Sequence, residues 1–309
     1  LRCIDTVQPT IVFSQVFPAN WWGFIAKLLR GSSLRHVWMC QEPSAFIHSK
    51  RWIDSLPRNI TGNAARLANP ILKVIDVRLG HYVDNVVANS EFSRNLALGV
   101  YNYRPDLVSI SYPGVDIARF SPSAEVPRLR YKFVTCARLT KFKNVDRIIR
   151  AVDQIRDLPV TLTVIGRGEE YGALVQLSHS LNLQDRITFR ETISDDEMIY
   201  ELRSSYGLIH AAEEEAFGLT PVEAMACGTP VIAMAGGGPA ETVIHEITGY
   251  LCSHANEATI ADAIRWLIAQ EPRAAATSAA CVHRATAFTW EAAASSLEDV
   301  FHQVLARPT

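Results

Sequence analysis

The chain reads as an α/β protein built from two doubly wound parallel sheets, and three observations predict this. Its 309 residues exceed one ordinary core and suit two domains of roughly 100–200 residues each. Short runs rich in β-branched residues alternate with helical stretches throughout, the pattern of βαβ units. The alternation breaks once, at 112–130, where "YPGVDIARFSPSAEVPRLR" carries three prolines and is the candidate interdomain linker.

In the first half, strands are expected at "TIVFSQ" (10–15), "LRHVWMC" (34–40), "DNVVANS" (84–90) and "LVSISYPG" (107–114). Helices are expected at "WWGFIAKLLR", "AARLANPILKVIDVRLGHYV" and "EFSRNLALGVYNY", the middle one broken at Asn69-Pro70. The second half restarts with strands "YKFVTCA" (131–137), "VTLTVIG" (160–166), "DRITFRE" (185–191), "YGLIHAA" (206–212), "TPVIAMA" (229–235) and "TGYLCS" (248–253). Helical segments separate them, and helices close the chain from about 256 to 306.

Hydrophobic content of 48% with 20% charge and a net charge of −2 describes a soluble globular protein. No apolar run reaches the roughly 20 residues of a spanning helix. The six cysteines are scattered, without a C-x-x-C or a histidine pair at ligand spacing, so neither zinc nor a disulfide framework is suggested and a reducing cytoplasm is expected. The chain starts at Leu1, and residues 1–20 lack the features of a signal peptide. Residues 1–110 carry 12 Lys and Arg against 7 Asp and Glu, whereas 111–309 carry 18 against 25. A basic first half fits an anionic partner such as lipid headgroups or a phosphorylated acceptor; ordinary surface variation fits it equally.

Ligands of doubly wound sheets bind beyond the carboxyl ends of the strands. Three loops there are unusual: "GRGEE" (166–170), "AAEEEAFGLTPVE" (211–223) and "GGGPAE" (236–241). Each sets small residues before a helix start, where free N–H groups and the helix dipole favour an anion. Thr220-Pro221-Val222-Glu223 has the capping-box form, which gives Glu223 a local reason to exist. Glu215 has no helix to cap, and its carboxylate suits hydroxyls better than phosphate. "CARLTKFKNVDRII" (136–149) supplies countercharge: Arg138 can fork onto two phosphate oxygens while Lys143 acts as a mobile point charge, and together they suit a diphosphate. Lys141 lies nearby, and both residues also fit solvated turn positions.

Together these segments resemble the family-4 retaining glycosyltransferases, whose GT-B fold sets two Rossmann-like domains facing across a cleft. "ARLTKFKN" is similar to that family's G-R-L-x-x-x-K-G segment, "GRGEE" to its G-x-G-x-E turn, and Glu215 with Glu223 to its E-x7-E motif. "GGGPAETVIHEITGYL" (236–251) and "YPGVDIARFSP" (112–122) also resemble family segments, so the likeness is dense from about 84 to 290. It implies a partial acceptor-side domain at 1–115, a donor-binding domain at 116–290, and a terminal helix at 291–309 crossing back to the first.

The resemblance implies a sugar, with mannose the candidate, moved from a GDP- or UDP-linked donor to a lipid-linked or polysaccharide acceptor with retention. Arg138 and Lys143 would hold the donor diphosphate and stabilise charge on the leaving nucleotide, and Glu215 would meet hydroxyls of the transferred sugar. The amides of Phe217, Gly218 and Leu219 would approach the phosphates, and Glu223 would hold the ribose. Gly166 and Gly168 would leave room for the nucleotide, with Arg167 or Glu169 near the base. Fixed cations at a departing diphosphate contribute a few kcal/mol each, on the order seen for preorganised donors. The chain has no D-x-D, so no metal and no cofactor are indicated. The implied location is cytoplasmic, peripheral on a membrane through the basic half.

Two departures from the family bear on activity. Where members commonly carry a histidine in a C-H-E-P-like turn, "MCQEPSAF" (39–46) places Gln41, which can bond a sugar hydroxyl but cannot take a proton. His36 and His48 lie nearby as substitutes or as core histidines. Only four strands precede the linker, so the first domain is expected to be incomplete, with an exposed edge; Trp21 and Trp22 fit an interface there, and fit ordinary helix packing better. These departures keep open a non-catalytic nucleotide-sugar-binding subunit, and, more remotely, a nucleotide-sugar epimerase.

Overall fold

The computed structural model describes residues 7–307. The chain divides into two compact units, residues 1–112 with 291–309 and residues 113–290.

The first unit holds a four-stranded parallel sheet in the order β1 (Ile11–Gln15), β2 (Arg35–Met39), β3 (Asn85–Ala88) and β4 (Val108–Ile110). Alternation along the strands sends Val37 and Val87 to one face and Trp38, Val86 and Ala88 to the other. The longer helices that join these strands are α1 (Ala19–Arg30), α2 (Ile60–Gly80) and α3 (Glu91–Tyr101), with two short helical turns at Ala45–His48 and Lys50–Ser55. Ala97 and Tyr101 of α3 pack with the Trp38 face. Val300 and Val304 of the last helix pack against Val37 and Val87, so the sheet is covered on both sides, as parallel sheets require.

Within this unit α2 runs unbroken through Pro70. The expectation of a break fails because side chains on both flanks anchor the helix. Asn69 donates to the Ile47 carbonyl at 2.8 Å, and Asp76 is wholly buried. The Asp76 carboxylate accepts from Trp21 Nε1 (2.8 Å), Tyr101 Oη (2.7 Å), Asn20 Nδ2 (3.4 Å) and His48 Nε2 (2.9 Å). Burial pushes its pKa up, but these donors more than offset it and hold the carboxyl below the usual range. His36 is also a core residue: it meets Ser14 Oγ at 2.8 Å, and burial lowers it to about 4, so it is neutral near pH 7. A Cβ on Gly23 would lie 2.1 Å from the His36 ring, which is why α1 carries glycine there. Both histidines near Gln41 are thus held by structural contacts, and so is Trp21; Trp22 is exposed.

The second unit holds six parallel strands in the order β10-β9-β8-β5-β6-β7. They are β5 (Leu129–Cys136), β6 (Thr161–Ile165), β7 (Ile187–Arg190), β8 (Ser205–His210), β9 (Val231–Met234) and β10 (Gly249–Cys252). The chain winds outward from β5 to β7 and then returns to lay β8 on the other side of β5, which makes the β5/β8 gap the topological switch point. Helices α4 (Val145–Gln154), α5 (Tyr171–Ser180), α6 (Asp195–Ser204), α7 (Leu219–Ala226), α8 (Glu257–Ala269) and α9 (Ala274–Ala285) connect and follow the strands, and α10 (Trp290–Ala306) returns to the first unit. Ile148, Ile149, Leu162, Val164, Ile209, Ile232 and Ile264 share its fully buried core.

The segment expected to link the domains is folded onto the second unit. Val115 bridges Thr289, Arg203 donates to the Ser121 carbonyl at 2.6 Å, Arg119 pairs with Asp195, and β5 already begins at Leu129. Prolines here shape a tethered strap because side chains of the domain satisfy its backbone carbonyls.

Asp76→Ala strands several buried donors at once and is expected to destabilise the first unit by about 3 kcal/mol in urea denaturation. Because the folded pKa is depressed, the Asp76 contribution is full above the unfolded value of about 3.9 and is lost as pH falls through the folded one. An unfolding midpoint unchanged by the substitution would contradict this anchor.

Candidate active site

The site is built at the carboxyl edge of the second sheet by the loops after β5, β6, β8 and β9. The loops after β5 and β6 lie against each other through backbone: Ala137 N–H donates to Ile165 (3.1 Å), Leu139 N–H to Arg167 (2.8 Å), and Glu170 N–H to Leu139 (3.1 Å). A Cβ on Gly166 would sit 1.9 Å from the Ala137 carbonyl, and one on Gly168 would sit 2.1 Å from that of Leu139. Both glycines are therefore explained by the approach of one loop to the other. Arg138, between these contacts, is exposed, and its side chain has no partner among the described residues.

Asn144 closes the same loop at φ +51°, and its amide donates to the Ala211 carbonyl at 2.9 Å. Asn tolerates the left-handed region where most residues do not, so it serves where the family segment has glycine. This clamp brings the loop after β5 to the one after β8, across the switch point.

Lys143 and Glu215 then meet directly: the ammonium donates to Glu215 Oε2. His210, the last residue of β8 and buried, points Nε2 to within 3.3 Å of the same oxygen, at an angle that leaves the nitrogen without a hydrogen bond. Burial raises the Glu215 pKa, while His210 and Lys143 pull it down further, to about 2. The Glu215 backbone is held as well. Its carbonyl accepts from Gly238 N–H at 2.8 Å, and a Cβ on Gly237 (φ +77°) would lie 2.6 Å from that oxygen.

Glu223 is in the opposite state. It is partly buried on α7, and its carboxylate has no hydrogen-bond partner among the described residues. Burial first, and Asp195 second, raise its pKa. The expected capping box is not formed: α7 begins at Leu219 behind Gly218, at φ +87°, which puts Thr220 inside the first turn with no side-chain cap. Pro221 fits there because a first-turn N–H has no helical acceptor. Phe217 is buried edge-on to Phe288 at 5.7 Å, whereas Leu219 is exposed. Gln41 belongs to the first unit, where it is exposed just beyond the carboxyl end of β2.

The structure thus brings Lys143, Glu215 and the Gly237-Gly238 turn together, and adds His210 and Asn144, which the motifs did not single out. The one available signal for His210 was an ionisable residue ending an otherwise apolar strand five positions before Glu215.

A family model described as glycosyl transferases group 1 matches residues 117–282. The chain belongs to this family. Within it, the chain is 28% identical over 248 residues to a D-inositol 3-phosphate glycosyltransferase of Corynebacterium diphtheriae, covering 74% of this chain and 58% of that protein. It is 31% identical over 231 residues to the protein of that name from Rhodococcus jostii, covering 69% and 51%. The chain thus spans a little over half the length of these relatives. Sucrose-phosphate synthase of Thermosynechococcus elongatus superposes with a TM-score of 0.81 at 22% identity, over 99% of this chain and 76% of that one. Anabaena HepE in complex with UDP and glucose gives 0.79 at 20%, over 99% and 81%. The fold of this glycosyl transferases group 1 member is GT-B, with a parallel sheet in each unit.

Removing either His210 or Lys143 is expected to raise the Glu215 pKa from about 2 toward the ordinary carboxyl range, read from carboxyl carbon NMR shifts in Lys143→Ala and His210→Leu. The depressed value means that Glu215 stabilises the fold above the unfolded pKa of about 4.3, a contribution lost as pH falls toward 2. A Glu215 titration that neither substitution moves would contradict the arrangement.

Proposed function

We propose that the chain transfers a sugar, with mannose the candidate, from a nucleoside-diphosphate donor to a lipid-linked or polysaccharide acceptor, with retention of configuration and without a metal. The contrast between the two glutamates carries this reading. Glu215 is already ionised and countered by Lys143, whereas Glu223 is a half-buried carboxylate without a donor among the described residues. A neighbouring pair of hydroxyls, such as a ribose diol, satisfies Glu223. A diphosphate suits the other side: Arg138 stands unpaired among the described residues, and Lys143 can exchange Glu215 for a phosphate oxygen. Glu215, released, accepts from hydroxyls of the sugar.

In this scheme Arg138 and Lys143 stabilise charge growing on the leaving diphosphate and fill the role a metal would take. The N–H groups of Gly218 and Leu219 stand at the start of α7, where no side chain caps the helix, and add dipole to the same phosphates. The names of the relatives make a phosphorylated polyol a further acceptor to test, and the UDP complex of HepE puts UDP-linked donors beside GDP-linked ones. The basic first half fits an acceptor presented at the cytoplasmic face of a membrane.

Release of UDP or GDP from a panel of nucleotide sugars, with membrane extract, glycans and inositol phosphate as acceptors, tests the reading. Arg138→Ala is expected to lower kcat about 100-fold with an unchanged melting temperature. A second reading, a donor-binding subunit without turnover, draws on Gln41 in place of the family histidine. Donor affinity without product, unrepaired by Gln41→His, would favour that reading, and measurable transfer by the unaltered chain would exclude it.

A further inference from the structure

Helix α2 turns its polar side inward. Asn69 and Asp76, seven residues apart on one face, are buried and hydrogen-bonded in the first unit. On the opposite face Ile60 is 89% exposed, Leu67 82%, Ile71 65% and Val74 53%. At 100° per residue these four side chains fall within one narrow stripe that ends in the exposed Arg78. The helix cannot roll to bury them, because rolling would carry the Asp76 carboxylate away from Trp21, Tyr101 and His48.

We propose that this outer face of α2 docks on an anionic lipid bilayer, with the helix lying in the plane of the headgroups. The charge around the stripe selects that occupant. Residues 56–83 carry Arg58, Arg66, Lys73 and Arg78, and their only carboxylate is the buried Asp76. An apolar stripe with an exposed arginine at each end, Arg58 and Arg78, and no exposed acid within 56–83 is the pattern of an interfacial helix: side chains enter the acyl boundary while the guanidinium groups stay among the phosphates. At 21 residues α2 is about 31 Å long, and no helix among the described residues is long and apolar enough to cross a membrane. A second copy of the chain fits less well, since an antiparallel two-fold contact would bring Arg58 of one copy against Arg78 of the other.

Co-sedimentation of the full chain with vesicles tests this without reference to sugar transfer. Binding is expected to vesicles of phosphatidylcholine containing phosphatidylglycerol, to be at least about 10-fold weaker on phosphatidylcholine alone, and to weaken at about 0.5 M salt. The triple variant Leu67→Ser, Ile71→Ser, Val74→Ser is expected to lose about 10-fold or more in vesicle affinity, because exposed apolar groups contribute to docking and not to the core. Its circular dichroism, melting temperature and affinity for UDP or GDP should match the parent. Arg58→Glu with Arg78→Glu should remove the preference for the anionic lipid. Equal partitioning of parent and triple variant would overturn the proposal, as would a dimer in solution that the triple variant converts to monomer.

Discussion

Glu215 is where the loops of the second unit's sheet are joined. Its carboxylate takes Lys143 from the loop after β5 and faces His210 at the end of β8, while its backbone carbonyl takes Gly238 from the loop after β9. Asn144 adds a second tie between the loops after β5 and β8. The carboxyl edge of this sheet is therefore tied together around one acid. The glycines at 166, 168, 237 and 238 follow from it, for each stands where another loop's backbone leaves no room for a Cβ.

Buried or half-buried carboxylates organise both units, with different outcomes. Asp76 is satisfied by donors from four different side chains, which orients α2 and leaves that helix's apolar stripe in solvent. Glu215 is satisfied by the mobile ammonium of Lys143, with His210 beside it. Glu223 lacks such donors among the described residues, and burial pushes its pKa up. The same desolvation cost is thus offset by donors at Asp76 and Glu215 and left uncompensated, among the described residues, at Glu223.

The strands were legible because their β-branched runs are short, bounded by turn residues and spaced as βαβ units, and the resemblance rested on motifs in the loops that follow them. Local rules failed where a tertiary contact overrode them. Pro70 does not break α2, because Asn69 and Asp76 pin the helix on either side. The Thr220 capping box does not form, because Gly218 caps the helix two residues earlier in a left-handed conformation. The prolines of 112–130 mark a strap bound to the second unit through Arg203 and Arg119. His210 and the inverted α2 carry no short motif; each depends on which residue stands opposite in space, which periodicity alone does not encode.

The claim that Glu223 waits for a diol is tested most directly by a thermodynamic cycle. UDP or GDP and its 2′,3′-dideoxy analogue are titrated calorimetrically into the parent and into Glu223→Ala. The account predicts that removing the hydroxyls or the carboxylate each weakens binding by about 10-fold or more, and that the analogue loses nothing further on the variant. Full affinity of Glu223→Ala for the natural nucleotide, or two losses that simply add, would contradict it.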